Sequence, residues 1–112
     1  MKKIEAIIQP FKLEDVKKAL ADVGVDGLTI SEVRGHGREK GHTEIYRGHE
    51  YQVRDLPRLK LELVVPAANL DAVINALVNS ARTGKIGDGK IFVSDISEAV
   101  RIRNNDRGEA AL

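Results

Sequence analysis

The chain has 112 residues, of which 42% are hydrophobic and 31% charged, so one compact domain over residues 1–112 is expected. Its 18 basic and 17 acidic residues leave a formal charge of +1, which excludes an overall field that would hold the protein on nucleic acid or an anionic membrane. The chain has no cysteine, which excludes disulfides and thiolate metal sites and is compatible with a reducing cytoplasm.

The first third of the chain predicts a strand, a helix and a second strand. The apolar run "IEAIIQP" is short, rich in β-branched residues and ends at proline, so we expect a buried strand over 2–9 and no signal peptide or membrane span. From Leu13, apolar residues recur at intervals of three and four up to Gly24, which indicates a helix. "LTISEVRG" then returns to strand chemistry.

Residues 37–55 carry no sustained apolar period and are interpreted as a long loop. Loops of this length inside small domains are usually functional, so this one is expected to be functional. His36 directly precedes this loop and His42 and His49 lie within it, but such histidines are more often solvated than metal-bound, and their spacing matches no metal-ligand pattern. No histidine metal site is therefore predicted.

The second half repeats the order of the first. "RLKLELVVP" alternates leucines with charged residues and predicts a strand, and the apolar residues from Leu70 to Val78 fall on one helical face. "KIFVSDI" predicts a further strand, and in the short "AVRIR" two arginines are expected on the same face of a strand.

This order of elements predicts an α+β fold of the ferredoxin-like type. Two βαβ units with right-handed crossovers form a four-stranded antiparallel sheet with both helices on one face. Since Ile7, Leu61, Leu63 and Val65 are not expected all to point at two helices, we expect the second sheet face to be buried in a symmetric homo-oligomer.

The stretch "GKIGDGKI", residues 84–91, resembles a Walker phosphate loop. It has Ile91 where the Mg²⁺-binding hydroxyl belongs, and it lies after a helix and before a strand, so the Walker reading fails. Its three glycines leave two alternatives open: a tight turn with solvated lysines, or a nest of backbone N–H groups that holds an anion beside Lys85 and Lys90. Three arginines favour a polyphosphate at this loop: Arg82, Arg101 and Arg103.

Three motifs together resemble the PII nitrogen-regulatory signal-transduction proteins: "TGKIGDGKIFV", "VRIR" before a short acidic tail, and "GHGREKGHTEIYRGHEYQV". The resemblance covers essentially the whole chain. It implies a ferredoxin-like homotrimer whose intersubunit clefts bind ATP or ADP competitively. It also implies a T-loop at about 37–55, a B-loop at about 82–90 and a C-loop at about 101–112.

The resemblance implies a role for individual residues in nucleotide binding. The phosphate side would be formed by the B-loop, by the base of the T-loop and by two arginines of the neighbouring subunit: Gly35, Gly37, Arg38, Gly87, Asp88, Gly89, Lys90, Arg101 and Arg103. The residues around the adenosine would be Ile7, Thr29, Glu62 and Val64. Ile7 and Val64 also have a simpler interpretation, because both would be core residues in any fold of this type.

The implied effector site binds Mg²⁺ and 2-oxoglutarate through Gly37, Glu39, Lys40, Gly41 and Arg58. Most members of the family carry glutamine where this chain has Glu39. A carboxylate there is still a good Mg²⁺ ligand, but its charge would repel a dicarboxylate beside a triphosphate. Arg58 stands where the family has lysine and keeps the positive charge. Nucleotide sensing is expected to be retained and 2-oxoglutarate binding to be weakened or altered.

The implied function is a conformational switch in the cytoplasm rather than catalysis. Ligands would select T-loop conformations through Arg38, Glu39 and Lys40, and target proteins would read them. Targets in the family are ammonium channels, adenylyl- and uridylyltransferases, kinases and metabolic enzymes. Tyr51 matches the tyrosine that is uridylylated in many proteobacterial members, or is an ordinary loop aromatic.

Three other classes are considered. An ATP-hydrolysing enzyme would need a positioned base, for which Glu39, Glu62 and Asp88 are the available acids. An adenylate sensor without a 2-oxoglutarate response would keep the nucleotide site alone. An RNA binder of this fold is disfavoured because no strand carries a cluster of aromatic residues.

Overall fold

The computed structural model describes residues 1–36 and 55–112, together with the strand pairing of 42–46 and 49–53. The elements in chain order are β1 (Lys2–Ile8), α1 (Leu13–Asp22), β2 (Thr29–Gly35), β3 (His42–Tyr46), β4 (His49–Val53), β5 (Leu56–Val65), α2 (Leu70–Ala81) and β6 (Lys90–Asp95). A short 3-10 turn precedes each helix, at Pro10–Lys12 and Ala67–Asn69, where a proline has just ended the preceding strand.

The main sheet has the strand order β2, β5, β1, β6, and each neighbouring pair is antiparallel. This order, with a helix after β1 and another after β5, confirms the predicted ferredoxin-like fold. The register places Ile7 of β1 opposite Lys60 of β5 on one side and Lys90 of β6 on the other. It also places Thr29 of β2 opposite Glu62 of β5.

The hydrophobic core lies between one face of the sheet and the two helices. Alternate residues of the central strands point into it, and the side chains of Ile4 and Leu61 are fully buried. Leu20 of α1 and Leu77 of α2 meet them from the helix side and are also fully buried. Burial of side chains of this size stabilises the fold by about 1.5–3 kcal/mol each.

As expected, the residues Ile7, Leu61, Leu63 and Val65 do not all face the two helices. The last three share the helix-covered face and are buried, whereas Ile7 lies on the opposite face. Three alternate positions of β5 fit beneath the two helices. Ile7 alone of the four is left for the uncovered face.

Charged residues occupy the middle of this uncovered face. The ammonium group of Lys3 lies 3.1 Å from Glu5 and 3.6 Å from Glu62. Lys60 approaches the other carboxylate oxygen of Glu62 at 3.3 Å. Hydrogen bonding to Lys60 and the charge of Lys3 lower the pKa of Glu62, while Glu5 and Glu62 raise the pKa of Lys3.

The segment predicted as a loop between β2 and β5 contains a two-stranded antiparallel sheet. β3 pairs with β4, with His42 opposite Val53 and Tyr46 opposite His49. β-branched and aromatic residues at 45, 46, 51 and 53 favour strands even where no long alternation is present. The absence of a long apolar period therefore did not exclude a short hairpin.

The prediction that Arg101 and Arg103 share a face of a strand is wrong. Val100 forms only an isolated bridge with Arg107, and the chain turns between them. The backbone N–H of Asn105 donates to the carbonyl of Arg101 at 2.8 Å, and Asn105 has a φ of 63°. Asparagine tolerates this left-handed backbone better than most residues, so the polar sequence after Arg103 makes a turn rather than a strand.

Among the helices in the described parts of the chain, none is long and apolar enough to cross a membrane.

Candidate functional site

A cavity of about 640 Å³ opens at the end of the sheet where β1 and β2 finish and β5 and β6 begin. Apolar side chains of Ile7, Leu56 and Phe92 line one part of it. The glycine-rich loop between α2 and β6 lines another part through residues 85–89, and the end of β2 contributes residues 35 and 36. The cavity therefore combines an apolar surface with exposed backbone polar groups, which is typical of small-molecule sites.

Positive charge predominates among the described residues that line this cavity. Arg58, Lys85 and Lys90 carry cations, and Asp88 is the single carboxylate of this set. Arg58 also donates to the carbonyl oxygen of Pro57 at 2.8 Å. His36 stands at the rim, where its Nδ1 lies 3.6 Å from the exposed carboxylate of Asp55. Such a cavity favours an anionic ligand.

The glycine-rich loop is held against the end of β1. Gly89 has a φ of 94°, and a Cβ atom on it would lie 1.7 Å from the carbonyl oxygen of Ile7. No other residue fits this position, because a side chain would collide with backbone rather than with a movable group. Gly84 and Gly87 also have positive φ values, of 87° and 107°. All three glycines therefore adopt the left-handed backbone that glycine tolerates best.

The side chain of Asp88 binds the start of the same loop. Its carboxylate accepts hydrogen bonds from the hydroxyl group of Thr83, from the backbone N–H of Thr83 at 2.9 Å and from that of Gly84 at 2.8 Å. The hydrogen bond from the Thr83 hydroxyl group is the main reason why the pKa of Asp88 is lowered. The two hydrogen bonds from the backbone lower it further. The Asp88 side chain is thereby engaged within the loop, so the residue would meet an anion through its backbone N–H.

Seven of the residues implied in nucleotide or effector binding line this one cavity: Ile7, Gly35, Arg58, Gly87, Asp88, Gly89 and Lys90. Three others, Thr29, Glu62 and Val64, do not line it but lie on the same uncovered sheet face. Glu62 lies opposite Glu5 of β1. Glu5 is two residues before Ile7, a distance of about 7 Å along the strand.

Arg101 and Arg103 do not line the cavity of their own chain. Arg101 is bound to Asp106 in the C-terminal turn, and the neighbouring Ile102 is 99% exposed. Arg82 lines a neighbouring apolar groove of about 370 Å³ between α2 and β6, together with Asp88, Gly89 and Lys90 of the glycine-rich loop. Within the single chain, Arg82 therefore lies beside the glycine-rich loop, whereas Arg101 and Arg103 line neither the groove nor the cavity.

The remaining predicted residues lie outside the described residues: Gly37, Arg38, Glu39, Lys40 and Gly41, and the side chains of His42, His49 and Tyr51. In the two fully described ranges, no three histidine or acidic side chains are grouped so that they could hold a metal ion. The predicted Mg²⁺ ligand, Glu39, lies between those ranges.

Sequence reasoning missed three residues at this site. Thr83 binds Asp88, Phe92 contributes its exposed ring to the cavity, and Gln9 donates from its side-chain amide to the carbonyl oxygen of Gly87 at 2.9 Å. Gln9 is 78 positions from Gly87 in the sequence, so no local motif could reveal this contact. Thr83 could have been found from the spacing T-x-x-x-x-D, because threonine and aspartate often close short loops.

Comparison with known proteins identifies the family. A family model described as nitrogen regulatory protein P-II matches residues 1–106. The chain belongs to the nitrogen regulatory protein P-II family. It is 58% identical to nitrogen regulatory protein P-II of Haemophilus influenzae, 57% to that of Pasteurella multocida and 55% to nitrogen regulatory protein P-II 1 of Escherichia coli K12. Each comparison covers the whole of both chains, so the PII resemblance read from three motifs is confirmed.

Proposed function

We propose that this PII protein is a cytoplasmic signal-transduction protein that binds ATP or ADP in the 640 Å³ cavity and regulates nitrogen metabolism by docking on target proteins. Membership of the family supports the regulatory role, since its relatives are named nitrogen regulatory proteins. The target proteins would be those that the resemblance implies: an ammonium channel, an adenylyl- or uridylyltransferase, a kinase or a metabolic enzyme.

One observation carries the nucleotide assignment. A glycine-rich loop with positive φ at Gly87 and Gly89 lies beside Arg58, Lys85 and Lys90 in the same cavity. Backbone N–H groups and cations arranged in this way suit an anion with several charged oxygens. A simple tight turn between α2 and β6 would not need a cavity lined by cations. The anion-binding reading of the loop is therefore favoured over the simple turn.

The adenosine would lie along the uncovered sheet face. Ile7 and Phe92 offer apolar surface next to the phosphate loop. From there the face continues to Thr29 and Glu62, which are paired across β2 and β5, and to Val64. A nucleotide placed with its phosphates at the loop would reach these residues with its base, in agreement with the roles implied by the resemblance.

A homotrimer would complete the site. Arg101 and Arg103 do not line the cavity of their own chain, and Ile102 between them is 99% exposed. A second copy could deliver these arginines to the phosphates, as the resemblance implies. Sedimentation equilibrium is expected to give three times the chain mass of 12.3 kDa. A stable monomer that binds ATP would contradict the intersubunit site.

Calorimetric titration with ATP and with ADP tests the nucleotide site. Wild-type protein is expected to bind both ligands. The variant Lys90→Ala should bind them about 10- to 100-fold more weakly, which is typical of losing a charge-assisted hydrogen bond. Lys18→Ala, which removes an exposed lysine of α1, is the matched control and should bind as the wild type does. Failure of the wild type to bind either nucleotide would overturn the proposal.

The same samples distinguish a binding protein from an ATP-hydrolysing enzyme. Phosphate release during long incubation with Mg²⁺–ATP is expected to be negligible on the time scale of binding. In the described residues of the cavity the single acid, Asp88, already accepts three hydrogen bonds within its loop, which leaves it poorly placed as a general base. Rapid multiple turnover would replace the regulatory assignment with a catalytic one.

The effector site is proposed at the base of the T-loop. Gly37, Glu39, Lys40 and Gly41 would bind Mg²⁺ and 2-oxoglutarate together with Arg58, whose side chain lines the cavity. Because Glu39 adds negative charge beside the triphosphate, 2-oxoglutarate is expected to bind weakly. A complete loss of 2-oxoglutarate binding would make the protein an adenylate-only sensor. Tyr51 is proposed as the uridylylation site if a cognate transferase acts on this chain.

A further inference from the structure

We propose that Gln9 is a positioning residue that orients the anion-binding N–H groups of the glycine-rich loop. This inference rests on the proposed nucleotide function of the cavity. Gln9 follows β1 directly, and its side-chain amide donates to the carbonyl oxygen of Gly87 at 2.9 Å. Its backbone is held by a turn in which the N–H of Lys12 donates to its carbonyl at 3.0 Å. Gln9 therefore contacts the loop from a backbone position that is held at the end of β1.

Gln9 bonds to the loop without lining the cavity. Gly87 and Asp88 line the cavity, but Gln9 does not. In a trans peptide the C=O and the following N–H point in opposite directions. Because the carbonyl of Gly87 points at Gln9, the N–H of Asp88 points the other way. Gln9 therefore turns this N–H toward the space where an anion would bind.

The loop needs such a restraint because of its glycines. Gly87 and Gly89 permit the positive φ values that bring the backbone close to a ligand, but glycine also permits the intervening peptides to rotate at little cost. A rotated peptide between Gly87 and Asp88 would present a carbonyl oxygen to the phosphates instead of an N–H. Asp88 anchors the start of the loop through Thr83 and Gly84, and Gln9 restrains this peptide from the sheet side.

Two substitutions of similar length separate the hydrogen bond from packing. Gln9→Met fills the same space without a donor, and Gln9→Glu places an acceptor opposite the carbonyl oxygen of Gly87. ATP affinity, measured by calorimetry, is expected to fall about tenfold in Gln9→Met, as for the loss of one partly buried hydrogen bond, and further in Gln9→Glu. Asn75→Met, which removes an exposed amide of α2, is the control and should change nothing.

Binding of adenosine distinguishes positioning of the loop from general damage to the fold. Adenosine has no phosphates, so its affinity, followed by NMR titration, should stay within about twofold of wild type in the Gln9 variants if only the loop is affected. Equal losses for ATP and adenosine, with a lower melting temperature, would assign Gln9 a merely structural role and overturn the inference. Unchanged ATP affinity in both variants would overturn it directly.

The wild-type titration separates this inference from the function on which it rests. If the wild type binds ATP and the Gln9 variants bind it equally well, only the role of Gln9 fails. If the wild type binds no ATP, the proposed nucleotide function fails first, and the positioning role falls with it.

Discussion

The guanidinium of Arg101 lies 3.2 Å from a carboxylate oxygen of Asp106, within the same C-terminal turn. The same guanidinium donates to the carbonyl oxygen of Leu112 at 3.3 Å, and the backbone N–H of Arg101 donates to the carbonyl of Asp106 at 2.8 Å. An arginine that is proposed to bind the phosphates of a neighbouring subunit therefore already has an anionic partner in its own chain.

Removing that partner is expected to strengthen ATP binding. In Asp106→Asn, Arg101 would no longer have to break an ion pair with residue 106 before it binds a phosphate. Because both side chains are substantially exposed, the pair is worth no more than about 1 kcal/mol, so a gain of about two- to fivefold in ATP affinity is expected. Calorimetry measures it, with Glu14→Gln, which breaks the exposed Lys17–Glu14 pair of α1, as the control. Weaker ATP binding in Asp106→Asn would mean that Asp106 orients Arg101 instead of competing for it.

Gly89 and Gly84 provide a matched test of close packing at the glycine-rich loop. Both have positive φ, but a Cβ on Gly84 would meet nothing within 4 Å, whereas on Gly89 it would collide with the backbone of Ile7. Gly84→Ala is therefore expected to lower the free energy of unfolding by about 1–2 kcal/mol through strain alone. Gly89→Ala should cost more and should also abolish ATP binding. Chemical denaturation compares the two, and equal losses would show that the loop can move away from β1.

The lowered pKa of Asp88 predicts a dependence of stability on pH. Its carboxylate favours the folded state at pH values above the ordinary pKa of 3.8, and this contribution is lost as the pH falls through the lower value of the folded protein. In Asp88→Asn the contribution is absent at all pH values. The difference in free energy of unfolding between wild type and variant should therefore shrink on acidification. Asp26→Asn, at an exposed position before β2, is the control. A difference that stays constant down to strongly acidic pH would contradict the role given to Asp88.

Replacement of Glu39 tests the proposed effector site. Glu39→Gln removes a negative charge next to the proposed triphosphate, so 2-oxoglutarate should bind more tightly to protein saturated with Mg²⁺–ATP. Calorimetric titration of 2-oxoglutarate measures this, and Glu32→Gln on the exposed edge strand β2 controls for the change in net charge. If Glu39→Gln gives no gain, Glu39 is not the reason for weak effector binding.

The main elements could be predicted because each depends on local periodicity. β1, β5 and β6 have short apolar or alternating patterns, and α1 and α2 have apolar residues on one face, so the ferredoxin-like order followed from the chain alone. The glycine-rich loop was also visible, since Gly87 and Gly89 are residues that positive φ requires. The expectation that Arg101 lies in a strand failed, because a strand needs a pairing partner from elsewhere in the chain and a local pattern does not reveal one.

The amino-acid sequence by itself determined the fold class, the family and the residue types available to bind a polyphosphate. Only the tertiary structure decided which of these residues meet. It brought Ile7 and Arg58 to the same cavity as Lys90, left Arg101 in a separate turn, and placed Gln9 beside Gly87. The physical reason is that sheet register joins residues more than 70 positions apart, and a hydrogen bond such as Gln9–Gly87 exists only once the register is set.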